Sequence, residues 1–312
     1  MFKKLITGVQ GKSQDFVALN PELRFYVIGD IHGCDDLLAK LLGQLDPDLP
    51  VVCLGDYIDR GEQSAKVLRR LMARPDIVAL TGNHEAMLLD FLADPIPNAE
   101  IWLRNGGLQT LASFGVGGVS EQSSAADLES AAQTLRAVMG AEMIAWLETL
   151  PACCQSGNVF MAHAGADPEA PLTAQFRQAL VWGRPDTRRL RREDGIWVVH
   201  GHWIVNEPTV AEGRIALDTG AFATGRLTAA EIDRGEVTFI STWNGSSHVR
   251  ERKAAWRVSH QTCMPAGEGG RRFSWSGGLL ITTASGGAID DNSQEEWPWA
   301  LAGGQERDHA KR

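Results

Sequence analysis

The chain lacks a basic excess. Its 312 residues carry 30 Lys+Arg against 39 Asp+Glu, a formal charge of −9. Nucleic-acid binders usually show the opposite balance, so nucleic acid is not an expected partner. Long apolar runs are also missing, and none approaches the roughly 20 residues that span a bilayer. At the N-terminus Lys3 and Lys4 precede only Leu5 and Ile6 before Thr7-Gly8, too short for the apolar core of a signal peptide. No membrane partner is therefore expected. Cysteine is sparse: Cys34, Cys53, Cys153, Cys154 and Cys263 are odd in number and form no CxxC. That usage reads as thiols in a reducing, cytoplasmic compartment, most of them small buried hydrophobes. What is present, 44% hydrophobic and 22% charged residues, is ordinary for a globular protein and excludes a collagen-like or wholly disordered chain.

A strand–helix rhythm begins after an N-terminal arm over residues 1–22. Phe25-Tyr26-Val27-Ile28 reads as a buried strand. Leu37, Leu38, Leu41, Leu42 and Leu45 then follow the spacing of an amphipathic helix. Val51–Leu54 is a second strand, and Ala65, Val67, Leu68, Leu71 and Met72 mark a second helix. Ile77–Leu80 is a third strand and Glu85–Leu92 a third helix, which Pro95 is expected to close. This alternation predicts parallel pairing with right-handed crossovers and ligand groups beyond the carboxyl ends of the strands. A mostly helical stretch follows, with one or two helices over 125–150 around Gly140. Strand patterns return at 159–162, 196–199, 215–217, 227–232 and 237–240, the last two joined as a hairpin by Asp233-Arg234-Gly235-Glu236. The catalytic domain is expected over 23–244. Residues 245–312 show no sustained period and read as a disordered tail. Their four tryptophans, Trp256, Trp275, Trp297 and Trp299, suggest the alternatives of a partner-docking tail or a strand hairpin at 273–289.

The residues just past the strands share one chemistry. The first strand leads to Gly29-Asp30-Ile31-His32-Gly33, the second to Gly55-Asp56-Tyr57-Ile58-Asp59-Arg60-Gly61, and the third to Gly82-Asn83-His84-Glu85. Two later strands lead to His163-Ala164-Gly165 and to His200-Gly201-His202. A lone Gly-Asp is commonly a turn, and a lone strand-end His is commonly structural. Together they place Asp, Asn and His at one edge of the predicted sheet, a ligand mix suited to Mn²⁺, Fe or Zn²⁺. Spacing alone leaves both His200 and His202 open as ligands.

This series, Asp-x-His-Gly, Gly-Asp-x-x-Asp-Arg-Gly, Gly-Asn-His-Glu, His-Ala-Gly and Gly-His, resembles the calcineurin-like metallophosphoesterases. Within them it resembles the bacterial PPP-type serine/threonine protein phosphatases related to lambda phosphatase, over residues 23–243. The resemblance implies an α/β (α+β) four-layer fold: two packed mixed β-sheets flanked by helices, with a poorly ordered C-terminal tail. It also implies two divalent metal ions, Mn²⁺ first and Fe or Zn²⁺ as alternatives. Asp30 and His32 would hold the first, Asp56 would bridge, and Asn83, His163 and His202 would hold the second. Arg60 and Arg184 would bind the substrate phosphate, and the guanidinium fork suits two oxygens. The chain departs from the family at Trp203, where a Thr or Ser usually follows Gly-His. Asp218-Thr219-Gly220-Ala221 also resembles the family and reads as structural or supporting.

A seryl or threonyl alkoxide leaves poorly, so a general acid is needed. His84 is the candidate, oriented by Asp59. The Cys-x5-Arg loop of cysteine-dependent phosphatases is absent. The resemblance implies a phosphorylated protein or peptide as substrate, attacked in line by metal-activated hydroxide. A symmetrical diadenosine-tetraphosphate hydrolase is the alternative, disfavoured by Asp59-Arg60 and Glu85. A non-catalytic scaffold would show eroded ligands, and none is eroded here. On this reading an acidic chain holds a locally positive site once its metals are bound.

Overall fold

The computed structural model describes residues 16–184, 187 and 190–243, together with the backbone of two short strands at 272–274 and 280–282. Strands β1 (Phe25–Ile28), β2 (Val51–Cys53) and β3 (Ile77–Ala79) alternate with helices α1 (Asp35–Leu42), α2 (Ser64–Met72) and α3 (Asn83–Ala93). The three strands pair in parallel, Tyr26 opposite Val51 and Val51 opposite Ile77, as the alternation predicts. Pro95 does more than end a helix. Asp94 is extended (φ −141°), and Pro95 begins α4 (Pro95–Trp102). At the first helical position its missing N–H is unneeded. A wider π-type turn over Leu103–Gly107 links α4 to α5 (Leu108–Ser113). Helices α6 (Ala125–Met139) and α7 (Ala141–Thr149) follow, parted at Gly140 with φ 78°.

The second sheet contains β4 (Cys153–Ser156), β5 (Val159–Ala162), β6 (Trp197–His200), β7 (Thr209–Ala211) and β8 (Arg214–Ala216). Helix α8 (Arg177–Trp182) connects β5 to β6, which pair in parallel. β4 and β7 carry no run that sequence patterning identifies. After the short helix α9 (Ala221–Thr224), β9 (Thr228–Asp233) and β10 (Glu236–Ser241) form the expected hairpin. This hairpin returns to the first sheet, whose order is β10-β9-β1-β2-β3. Strands β11 (Arg272–Ser274) and β12 (Leu280–Thr282) complete the second, in the order β11-β12-β4-β5-β6-β8-β7. They overlap the hairpin alternative for the tail, which otherwise lies outside the described residues.

Strand alternation builds the layers. Phe25 and Val27 of β1 point to one side, where they meet Val52, Met161, Val199 and Ile215 in a core between the two sheets. Tyr26 and Ile28 point to the other side, onto Leu38, Leu68 and Leu88 of α1, α2 and α3. Phe160 and Val198 face α8 through Leu180 and Val181. The result is the four-layer arrangement of helices, sheet, sheet and helix. Each fully buried Leu, Ile or Phe contributes roughly 1.5–3 kcal/mol, so the inter-sheet core is a rigid base for the loops at its edge.

Residues 16–22, grouped by sequence with the arm, pack against this body. Leu19 lies in the inter-sheet core. Phe16 meets Trp197 edge-on at 5.2 Å, and Trp197 Nε1 donates to the Val17 carbonyl at 2.8 Å. This segment is irregular, so periodicity carries no trace of it. Among the described residues no helix is long and apolar enough to cross a membrane.

Candidate metal centre

The loops leaving β1, β2, β3, β5 and β6 meet at one end of the two sheets. Their backbones are strained there. Among the described residues six non-glycine residues adopt positive φ, and five are His32 (44°), Asp56 (53°), Asp59 (69°), Arg60 (64°) and His202 (61°). Each such conformation costs about 1–3 kcal/mol and persists only when its surroundings impose it. Backbone bonds impose it here: Ile31 and His32 N–H both donate to the Asp56 carbonyl, at 3.1 and 2.8 Å. Two glycines allow closest approach. A Cβ on Gly82 would lie 2.2 Å from Asp56 Oδ1, and one on Gly201 would lie 1.9 Å from Asp30 Oδ1.

Two groups of donor atoms share Asp56. On one side Asn83 Oδ1, His163 Nε2 and His202 Nδ1 lie 2.9–3.1 Å from one another, with Asp56 Oδ1 3.3 Å from His163. On the other side Asp56 Oδ2 lies 3.5 Å from His32 Nε2 and 3.7 Å from His84 Nε2. His32 Nδ1 donates to the Ile58 carbonyl at 2.8 Å, which leaves the Nε2 lone pair facing the centre. Asp30 accepts from the His202 backbone N–H at 3.1 and 3.0 Å, with the Asp218 carboxyl alongside. His202 meets Asn83 and His163 directly, whereas His200 Nδ1 donates to the Gly201 carbonyl.

His84 has a second partner. Its Nδ1 lies 2.7 Å from Asp59 Oδ2, and both side chains are buried. Asp59 in turn accepts from Trp102 Nε1 at 3.1 Å and from Thr110 Oγ1 at 2.6 Å. Sequence reading missed Trp102 and Thr110, which lie 43 and 51 residues from Asp59. It also left Glu85 without a structural role. Glu85 accepts backbone N–H bonds from Tyr57 at 2.7 Å, Gly82 at 2.8 Å and Asp56 at 2.9 Å, so one carboxylate ties the β2 and β3 loops together. Burial pushes its carboxyl up to about 7, while the three N–H donors pull it back. Replacing Glu85 with Gln turns an NH₂ donor toward a backbone N–H. Equilibrium denaturant unfolding of the metal-free protein should show a loss of about 1–3 kcal/mol; unchanged stability would remove the clamp.

The two arginines differ in setting. Arg60 follows Asp59 at the centre, and its guanidinium lies over the Phe222 ring, 4.9 Å from the centroid. Arg184 donates to Asp167 Oδ2 at 2.8 Å. The described contacts do not bring it against the donor cluster.

Burial and charge crowding suit the cluster to a cation. Burial, with Asp218 and Asp56 alongside, raises Asp30 well above the usual carboxylate range, and burial with Glu85 alongside does the same to Asp56. Burial also raises Asp59 to about 8, against the pull of Thr110 and Trp102, and lowers His32, His84 and His163 well below the usual imidazole range. Neutral imidazoles offer lone pairs, and crowded buried carboxylates gain most from a positive charge between them. The groups His32–Asp56–His84 and Asp56–His163–His202 each converge within 4.8 Å. Nitrogen and oxygen donors so arranged fit divalent ions of the Mn²⁺, Fe or Zn²⁺ kind.

Comparison with known proteins agrees with this geometry. Residues 23–206 match the family model of the calcineurin-like phosphoesterases. The chain is 30% identical over 233 residues to serine/threonine-protein phosphatase 2 of Salmonella typhimurium, covering 70% of this chain and 97% of that protein. It is 25% identical over 251 residues to an asymmetrical bis(5'-nucleosyl)-tetraphosphatase of Bacillus velezensis, covering 70% and 93%. A solved chain described as a candidate diadenosine tetraphosphatase shares the fold, with TM-score 0.50 and 22% identity, over 72% of this chain and 96% of that one. The chain belongs to the calcineurin-like phosphoesterase family and is a metal-dependent hydrolase of phosphate esters.

Proposed function

We propose that this chain is a serine/threonine protein phosphatase acting with two divalent ions, Mn²⁺ foremost. The observation that carries the reading is the buried His84–Asp59 pair beside the donor cluster, 2.7 Å between Nδ1 and Oδ2. A serine or threonine oxygen leaves as a strongly basic alkoxide unless it is protonated as the P–O bond breaks. Asp59 accepts from Nδ1 and would offset the positive charge that His84 gains once it is protonated, which leaves Nε2 to deliver the proton to the leaving oxygen.

In this reading Asp30, His32 and Asp56 hold one ion, and Asp56, Asn83, His163 and His202 hold the other. The bound ions would supply Lewis acidity that makes water nucleophilic at neutral pH and offsets phosphate charge. Arg60 binds the phosphate oxygens on which charge spreads during in-line attack. Arg184 joins it as the second phosphate-binding arginine; its partner Asp167 stands four residues beyond His163 on the loop leaving β5. A cytoplasmic location belongs to the same proposal and rests on the cysteine usage. Burial raises the Cys34 and Cys53 thiols to about 11 and about 12, which makes them unreactive.

The competing substrate class is the dinucleoside tetraphosphate named for some relatives. Against the symmetrical diadenosine-tetraphosphate hydrolases, Asp59-Arg60 and Glu85 favour the protein phosphatase. The test is a panel of phosphoserine, phosphothreonine and phosphotyrosine peptides and diadenosine tetraphosphate with Mn²⁺-loaded protein. The phosphoserine or phosphothreonine peptides should exceed the dinucleotide in kcat/KM by about tenfold or more, a difference of about 1.4 kcal/mol at the transition state. The reverse order overturns the assignment. Chelation should abolish turnover, and Mn²⁺ should restore it best.

A further inference from the structure

Arg60 is held from two sides. Its backbone meets Gly106, in the turn between α4 and α5: a Cβ there would lie 2.4 Å from Arg60 N. Its guanidinium lies over the face of Phe222, 4.9 Å from the ring centroid. The same ring meets His32 edge-on, at 5.3 Å between centroids and 85° between planes. One aromatic side chain thus touches both the arginine that faces phosphate and a histidine of the metal centre.

The turn that presents Phe222 is closely fixed. Helix α9 has only four residues, and the glycines at its two ends, Gly220 and Gly225, adopt left-handed φ of 65° and 69°. Gly220 N–H donates to Asp218 Oδ1 at 2.8 Å, and Thr224 Oγ1 donates to the Thr219 carbonyl at 2.9 Å. Asp218-Thr219-Gly220-Ala221 therefore serves as the mount of an aromatic group. Phe222 is nevertheless 37% exposed, so its ring stands at the mouth of the site, apart from the core.

We infer that Phe222 is the positioning residue for Arg60: its ring orients the guanidinium toward phosphate without neutralising the charge. A carboxylate partner would orient an arginine equally well but would compete with phosphate for its N–H groups. An aromatic face attracts the cation through the ring quadrupole and leaves the guanidinium edge free to donate. The described contacts of Arg60 are of this kind, with an aromatic ring in place of an ion pair. The inference rests on the reading of Arg60 as a phosphate-binding residue.

The test uses full-length Mn²⁺-loaded protein, with competitive inhibition by inorganic phosphate read alongside turnover of p-nitrophenyl phosphate. Phe222→Leu should weaken phosphate inhibition and raise KM, each about fivefold, the size expected of one partly exposed cation–π contact, while kcat changes less. Phe222→Tyr keeps the ring and should restore the wild-type inhibition constant. In an Arg60→Ala background Phe222→Leu should have no further effect on phosphate inhibition, because the group it orients is gone. Metal content should match wild type. An equal effect in both backgrounds, no effect in the wild-type background, or loss of metal through the His32 contact each overturns the inference. If Arg60→Ala alone leaves phosphate inhibition unchanged, the reading of Arg60 itself fails, and that failure is distinct.

Discussion

Asp56→Asn is expected to abolish metal loading and turnover together. Asp56 is buried between the two donor groups, with Oδ1 3.3 Å from His163 Nε2 and Oδ2 3.5 Å from His32 Nε2. Asparagine keeps the shape, but it removes the negative charge and turns an NH₂ donor toward one of the two imidazole nitrogens. Both changes oppose a cation. The polarisation and charge offset supplied by metal ions are worth several kcal/mol, so turnover should fall about 10³-fold or more. The checks are elemental analysis of purified variant and wild type after identical loading, and phosphatase rates at saturating Mn²⁺. A variant that holds two ions per chain and turns over normally would exclude Asp56 as the shared ligand.

The second large effect separates acid catalysis from metal binding. His84→Asn should slow hydrolysis of phosphoserine peptides about 10²–10⁴-fold, the usual contribution of a positioned general acid. p-Nitrophenyl phosphate should suffer much less, since its leaving group needs little protonation. Rates across a series of aryl phosphates should therefore depend more steeply on leaving-group pKa in the variant. Asp59→Asn should follow the same pattern, because it removes the carboxylate charge that favours the protonated imidazole and puts an NH₂ donor in place of one of the two accepting oxygens. His84 Nε2 stands 3.7 Å from Asp56 Oδ2, and the buried trio of His32, Asp56 and His84 could itself surround an ion. Metal content decides between the roles: a proton donor leaves it unchanged, and a ligand lowers it. Loss of metal from His84→Asn would sink the acid assignment.

The donor residues were legible in the sequence for a physical reason. Parallel strands end at one edge, so the residues after β1, β2, β3, β5 and β6 are drawn together once the sheets form. Asp30, His32, Asp56, Asn83, His163 and His202 each sit within a few residues of such an end. Their supports obey no such rule. Trp102 reaches Asp59 only because α4 folds back over α3, and Phe222 reaches Arg60 only because β8 and β9 place α9 beside the β2 loop. Arg184 is held by an ion pair with Asp167 on the loop leaving β5, a partner 17 residues away that its sequence motif does not name.

By itself, the sequence determined the order of strands and helices in the first half, the chemistry at the strand ends and the acidic balance of the chain. These follow from local periodicity and composition. Only the tertiary structure decided that His202 stands with Asn83 and His163 while His200 turns to the Gly201 carbonyl. Only it shows Glu85 joining two loops and residues 16–22 packing onto the starts of β5 and β6, with Leu19 in the inter-sheet core. Those outcomes depend on contacts between segments up to 180 residues apart, such as Val17 with Trp197, and local pattern contains no record of which distant surfaces will meet.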